Sequence, residues 1–269
     1  MSAAVFDRLA SQYDRLWTRS AVGLLQREAV WRHIGPLLKP GRAVLDPAGD
    51  AALDPAGQTA LDLGCGTGED ALRLMQAGLR VHAIDASPEM VRIARSRGVD
   101  AETLPIEHCG LLNASFDGSF DIALSNFGAL NCIEDLESLR EPLSRLVRPG
   151  GYLALCVIGR FCLWETAWAL LRGQPAKAFR RWRKSAMSSL GIRVFYPSSK
   201  RLEAAFRPRF TLVSWRGIGL SVPPSYVTGL SAGVLRKLDA FDRRVAHWPL
   251  LRGFADHRLF VFVRNSSCQ

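Results

Sequence analysis

The feature that most constrains this chain is residues 59–90, TALDLGCGTGEDALRLMQAGLRVHAIDASPEM. Ala60 to Leu63 reads as a short buried strand, and Gly64-Cys65-Gly66-Thr67-Gly68 turns the backbone sharply. Glu69 to Gln76 carry Ala71, Leu72 and Leu74 in a helical pattern, and a second strand from Leu79 to Ile84 ends in Asp85. Strand, glycine turn, helix, strand and terminal acid, in that order, predict the nucleotide-cradling half of a parallel α/β sheet. Glycine suits the turn because a backbone without Cβ atoms can approach a ligand closely. The acid at the tip of the second strand is placed to accept hydrogen bonds from both hydroxyls of a ribose.

The glycines are spaced G-x-G-x-G, not the G-x-G-x-x-G of the dinucleotide fingerprint, and no Lys-Ser or Lys-Thr follows as in a P-loop. Further stretches supply the context that the glycines lack. LDLGCGTG, VHAIDASPEMV, FDGSFDIALSNFGALN and LVRPGGYLAL occur in that order, and together they resemble the class I S-adenosylmethionine-dependent methyltransferases, over about residues 1–160 and, loosely, the last strand. The resemblance implies an α/β, Rossmann-like, seven-stranded and mostly parallel sheet, with the last strand antiparallel between the fifth and sixth. It implies S-adenosylmethionine as cofactor and S-adenosylhomocysteine as product. Gly64, Gly66 and Gly68 would carry the backbone against the methionine end and ribose, with Cys65, Thr67, Ala86 and Met90 around them, and Asp85 would hold the ribose. Asp62 would order the turn or bind the amino group. Family members also place an N-terminal helix over the cofactor, where a Tyr-Asp pair such as Tyr13-Asp14 lines the pocket; the plainer reading is a helix that covers the sheet.

At 269 residues, 48% apolar and 22% charged, the chain suits one large domain or one domain with an inserted cap. Cysteines at 65, 109, 132, 156, 162 and 268 form no C-x-x-C pair, which speaks for reduced thiols in a cytoplasm and against a metal site. The N-terminal MSAAVFDRLASQYDRLW has acids and no apolar core, unlike a signal peptide, and no run reaches the ~18 apolar residues of a membrane span.

The net charge of +10 is localised. Between Arg160 and Arg209 stand twelve Arg or Lys against Glu165 and Glu203, a surplus equal to that of the whole chain. The positive field therefore belongs to what residues 160–209 build. Three parts are expected: residues 1–159 with the N-terminal helices and the cofactor-binding core, a helical cap at 160–195 inserted after the fifth strand, and 196–269 completing the sheet around a helix at 228–245. Within the cap, an apolar helix at 161–171 and a cationic helix at 176–187 flank a Gly-Gln-Pro break.

The segment 43–66 holds three near-copies, AVLDPAGD, AALDPAGQ and TALDLGCG. Only the third precedes Gly-Thr-Gly, so it is the expected first strand, and the others end in turn residues that predict a surface loop or small hairpin. The third strand is expected at Ala101 to Leu104, with Ile106-Glu107 beside the adenine; Asp100-Ala101 is the alternative. The fourth, Phe120 to Leu124, ends at Asn126, Phe127 and Asn131 facing the reaction. A helix at 134–147 and a fifth strand at Tyr152 to Ile158 follow.

Candidate bases are Tyr13, His108 and Tyr196, with Tyr226 and His257 behind them; each has a plainer reading as loop surface, packing or strand start. A carboxylate acceptor, already ionised at neutral pH, would need none. Arg160 and Arg193 could meet an anionic substrate bidentately, beside Asn131, Trp164 and Tyr226. The favoured acceptor is a small organic molecule, with an anionic one as the case these arginines suit. A lipid-like substrate reached from an anionic membrane through 176–187 is the second reading, with Trp164, Trp168, Phe179 and Trp182 beside a basic face. Nucleic acid ranks last, since the Asn/Asp-Pro-Pro-Tyr/Phe element of base amino-methylases is absent after the fourth strand. A cofactor-binding scaffold without activity is the non-enzymatic alternative. Monomer and homodimer are both open.

Overall fold

The structure is a computed structural model that describes residues 2–38, 44–45, 51–52, 57–227 and 229–266. Its main sheet has seven strands: β1 (Thr59–Leu63), β2 (Arg80–Asp85), β3 (Asp100–Thr103), β4 (Phe120–Ser125), β5 (Val147–Ile158), β6 (Phe210–Ile218) and β7 (His257–Arg264). The spatial order is β6-β7-β5-β4-β1-β2-β3. β1 to β5 run parallel, and β7 pairs antiparallel with both β5 and β6. This matches the seven-stranded sheet expected from the resemblance.

Alternation along the strands gives the sheet two buried faces. Leu61, Leu63, Leu153, Leu155, Phe260 and Phe262 point to one side, where α5 (Arg140–Leu146) and α7 (Ser199–Phe206) bury Leu143, Leu146, Leu202 and Phe206. Ala60, Ala83, Ile122, Leu124, Leu259 and Val261 point to the other. There α2 (Ala21–Ile34), α3 (Glu69–Gln76) and α4 (Pro88–Ser96) contribute Trp31, Ile34, Leu74 and Val91. Each fully buried large side chain is worth roughly 1.5–3 kcal/mol. Strands covered on both faces leave only their ends for ligands, and here the carboxyl ends of β1, β2 and β4 open into a cavity.

Three local expectations need correction. β3 starts at Asp100, not Ala101, because α4 stops at Ser96 and a short turn through Gly98 suffices. The cationic helix at 176–187 does not form. Residues Pro175–Ala178 make a single helical turn and Arg180–Trp182 a 3-10 turn, and Ser185–Met187 pairs antiparallel with Arg193–Phe195. Residues 160–195 thus combine one helix, α6 (Leu163–Leu171), with turns and a hairpin. The helix expected at 134–147 is a 3-10 turn, Glu137–Leu139, that leads into α5.

Of the repeated segment, Val44–Leu45 pairs antiparallel with Ala51–Ala52 in a separate two-stranded sheet, and residues 46–50 and 53–56 lie outside the described residues. The third copy supplies β1. Among the described residues no helix is long and apolar enough to cross a membrane.

Candidate functional site

The turn after β1 is held against β2 by its own backbone: Gly64 and Cys65 both donate to the Ile84 carbonyl, at 2.8 and 3.0 Å. A Cβ on Gly64 would lie 2.5 Å from the Ala129 methyl group, while one on Gly66 would meet nothing within 4 Å. The first glycine is therefore required by packing, and the second leaves main chain facing open space. Gly66 has φ +54, a left-handed value. Its N–H donates to Asp85 at 2.9 Å, and the Ser87 N–H donates to the other Asp85 oxygen at 2.8 Å. Each oxygen keeps a further lone pair. Burial pushes the Asp85 pKa up, against the pull of the two N–H donors. Behind the turn, Asp62 is buried and its Oδ2 has no partner; burial, then the Asp70 charge, raises its pKa.

The N-terminal helix α1 (Ser2–Tyr13) closes this end. Asp14, just after it, accepts from the Thr67 hydroxyl at 2.6 Å and from Arg97, and Asp7 accepts from Ser87 Oγ at 2.5 Å. Two acids thus tie the cover to the glycine turn and to the start of α4. Tyr13 lies on the cavity wall, and burial pushes its phenol up to about 12. Arg27 of α2 pairs with Asp70 of α3, which also accepts from Trp31 Nε1 at 2.8 Å and Asn126 Nδ2 at 3.0 Å. Phe127 has φ +50, a strained value for a bulky residue that costs about 1–3 kcal/mol. It sets the ring between the Arg27 guanidinium, 4.9 Å from its centroid, and the edge of His257 at 5.4 Å.

Residues of the inserted segment form the opposite wall. Arg180, Arg181, Ser188, Leu190, Ile192 and Val194 share one cavity of about 830 Å³ with Gly64, Gly66 and Asp85. The segment is anchored by a carboxylate, Glu165, only 2% exposed. It accepts two bonds from Arg180 (2.6 and 2.9 Å), two from Arg181 (2.7 and 3.0 Å) and the Tyr226 hydroxyl at 2.8 Å. Arg181 also lies 2.9 Å from buried Asp256, which accepts from Gln26 Nε2 at 3.2 Å. The two arginines hold Glu165 below the usual carboxylate range against its burial. The neighbouring His257 and Arg181 likewise hold Asp256 below the usual carboxylate range, again against burial. His257 Nδ1 stands 3.3 Å from Asp256 Oδ2, at ion-pair distance but outside hydrogen-bond geometry.

Of the residues expected at the site, Tyr13, Gly64, Gly66, Asp85, Ala86, Met90, Ile106, Glu107, His108, Asn126, Phe127 and Tyr226 line this cavity. Asp100 does not: it sits opposite His82 in the β2–β3 register, away from Asp85, and meets His82 Nδ1 at 2.9 Å. Asp62, Cys65, Thr67 and Gly68 stand behind the wall; a Cβ on Gly68 would press Ala94 and Val99 at 3.1 Å. Asn131 is spent on structure, bonding Ile158 through both amide atoms and donating to the Phe195 carbonyl at 2.6 Å. Trp164 donates to the Ser221 carbonyl at 2.6 Å, and Arg160 to the Trp182 carbonyl at 3.1 Å. Arg193 is exposed on the hairpin and Tyr196 is buried beside the arginines, both off the wall. Sequence reasoning passed over Arg27, Gln26, Asp70 and Asp256, and placed Glu165 and Arg181 only as charges of the basic region. Only Glu165 carried a visible signal, as one of two acids in a basic region.

Residues 61–155 match the family model described as a methyltransferase domain. A demethylmenaquinone methyltransferase of Renibacterium salmoninarum is 32% identical over 187 residues, which cover 66% of this chain and 69% of that protein. The chain belongs to the class I S-adenosylmethionine-dependent methyltransferases. The enzyme of the same name from Clavibacter sepedonicus is 32% identical over 157 residues, but the match spans only 56% of its length and 57% of this chain. A putative S-adenosylmethionine-dependent methyltransferase from Listeria monocytogenes shares the fold, with TM-score 0.57 at 16% identity over 90% of this chain and 99% of that one.

The residues present fit this family's cofactor. Main chain at Gly66 faces open space, Asp85 has lone pairs to offer beside it, and a buried, partnerless Asp62 oxygen lies behind the same turn.

Proposed function

We propose that this methyltransferase moves a methyl group from S-adenosylmethionine to a small, ring-containing organic acceptor held beneath residues 160–195. The observation that carries this reading is the single cavity bounded by Gly64, Gly66 and Asp85 on one side and by Arg180 to Val194 on the other. Asp85 accepts from both ribose hydroxyls, with Ala86 and Met90 alongside. Gly64 and Gly66 approach the methionyl end, and Ile106 and Glu107 flank the adenine. Asp62, Cys65, Thr67 and Gly68 hold the turn in shape from behind.

The bound sulfonium supplies a methyl carbon already activated by its leaving group. The chain then has to align the acceptor, exclude water and take up a proton. Phe6, Tyr13, Trp17, Phe127 and Tyr226 give the cavity aromatic walls suited to a flat ring. The Renibacterium and Clavibacter relatives both bear the name demethylmenaquinone methyltransferase, which favours a quinone-type ring. His257 is the proton acceptor, because it lies on the wall beside an Asp256 carboxylate kept ionised. Tyr13, with its phenol pushed up to about 12, donates a hydrogen bond instead. His108 stands exposed at the rim.

A second reading, a lipid-like acceptor taken from a membrane surface, draws on Leu163, Leu171, Phe179, Trp182 and Met187, all exposed on the inserted segment. The test is S-adenosylhomocysteine formation with a panel of phenols, quinols and their long-chain analogues. We expect turnover with ring acceptors and a loss of about 10²–10⁴ in kcat for His257→Gln, with product affinity retained. No turnover with any ring acceptor would remove the acceptor class, and an unchanged rate in the variant would remove the base.

A further inference from the structure

A smaller cavity of about 260 Å³ lies beside the first and shares Arg180, Ser189 and Tyr226 with it as walls. Trp168, Arg172 and Lys177 complete it, and among the described residues no carboxylate lines it. The Arg172 guanidinium stands 4.2 Å above the Trp168 ring, and Lys177 Nζ is 5.7 Å from the centre of the Tyr226 ring. Resting on aromatic faces, these two long side chains are held near the cavity instead of ranging through solvent.

The local charge is unbalanced. Glu165 and Asp256 are matched by Arg180 and Arg181, which sit in bonds with them. That leaves Arg172 and Lys177 in surplus, and among the described residues neither forms an ion pair with a carboxylate. Ser189 adds a hydroxyl donor to the same wall.

We propose that this side cavity is a subsite for an anionic group, a carboxylate or phosphate, carried by the methyl acceptor at some distance from the atom that is methylated. The proposal rests on the methyl-transfer reading and deepens it. Two cations and a hydroxyl around an acid-free pocket suit charge-assisted bonds to such a group. The cavities adjoin at Arg180, Ser189 and Tyr226, so an acceptor reaching past these side chains would place its anion outside and its ring beneath the inserted segment. Binding energy gained at the anion then aligns a ring that the ring's own contacts hold only loosely. Arg160 and Arg193 play no part, since neither lines either cavity.

Calorimetric titration of the full chain, saturated with S-adenosylhomocysteine, tests this with inorganic pyrophosphate as the probe. Arg172→Gln/Lys177→Gln should weaken pyrophosphate binding about tenfold or more, and Arg193→Gln should leave it unchanged. A parallel sedimentation arm uses phosphatidylglycerol vesicles. Pyrophosphate binding lost in the double variant, without vesicle binding, assigns the subsite to a free anionic acceptor. Vesicle binding lost in the same variant assigns it to a lipid headgroup. Pyrophosphate and vesicle binding that are both absent, or both insensitive to the double variant, would overturn the proposal. Affinity for S-adenosylhomocysteine, measured on the same samples, reports separately on the methyl-donor site. Loss of that affinity would count against the methyl-transfer reading, and its retention beside a failed anion test would count against the subsite alone.

Discussion

The two walls of the cavity are built by opposite means. The glycine-turn wall is held through main-chain N–H groups: those of Gly64 and Cys65 donate to the Ile84 carbonyl, and those of Gly66 and Ser87 to the Asp85 carboxylate. The inserted wall is held by buried charge. Glu165 gathers Arg180 and Arg181 of its own segment and Tyr226 beyond it, and Arg181 carries the link to Asp256 just before β7. One wall rests on main-chain hydrogen bonds, and the other depends on ion pairs whose removal leaves unpaired charges in the interior.

The difference can be broken most severely at Glu165. Glu165→Ala strands Arg180 and Arg181, and removing one member of a buried pair typically costs about 3–5 kcal/mol. The melting temperature should fall by roughly 2–4 °C for each kcal/mol. Acceptor turnover should collapse while affinity for S-adenosylhomocysteine is largely kept, a split that calorimetry and a turnover assay read together. Equal losses of both would show that the two walls are one unit.

Acid separates the walls more gently. Burial raises the Asp85 pKa, so its charge, and with it affinity for the ribose, is lost as pH falls through a value above the ordinary carboxylate range. Glu165 and Asp256 have folded pKa values below their unfolded ones. Their stabilisation is fully present above the unfolded values and disappears only as pH falls through the lower, folded ones. Product affinity should therefore decline at a higher pH than the one at which the inserted wall loosens. Titration calorimetry and near-UV circular dichroism over the same pH series would show the order, and the reverse order would contradict the assignment of these shifts.

The same contrast explains what the sequence could show. The sheet was readable because its cause is local: alternating apolar residues, Gly64-Cys65-Gly66-Thr67-Gly68, and Asp85 closing β2. The β3 boundary slipped by one residue because the two residues from Gly98 to Asp100 were read as leaving no room for a strand before Asp100, whereas the strand begins at Asp100 itself. The cationic helix was misread because Ala176, Phe179 and Trp182 do recur at helical spacing, but Glu165 draws Arg180 and Arg181 inward and the chain turns after Ala178. Asn131 and Trp164 looked like substrate contacts and instead bond backbone carbonyls. Nothing in their neighbourhoods along the chain distinguishes the two uses. Pairings such as Arg27 with Asp70, and Arg181 with Asp256, join residues far apart in sequence and leave no periodic trace.

The glycine turn and Asp85 form the proposed seat of the methyl donor, and one titration addresses this directly: S-adenosylhomocysteine into the wild-type chain and into Asp85→Ala. Saturable binding to the wild type, weakened about 100-fold or by roughly 3 kcal/mol in a variant that stays folded, is the predicted result, from the loss of two charge-assisted hydrogen bonds. No binding to well-folded wild-type protein, or equal affinity in the variant, would contradict it.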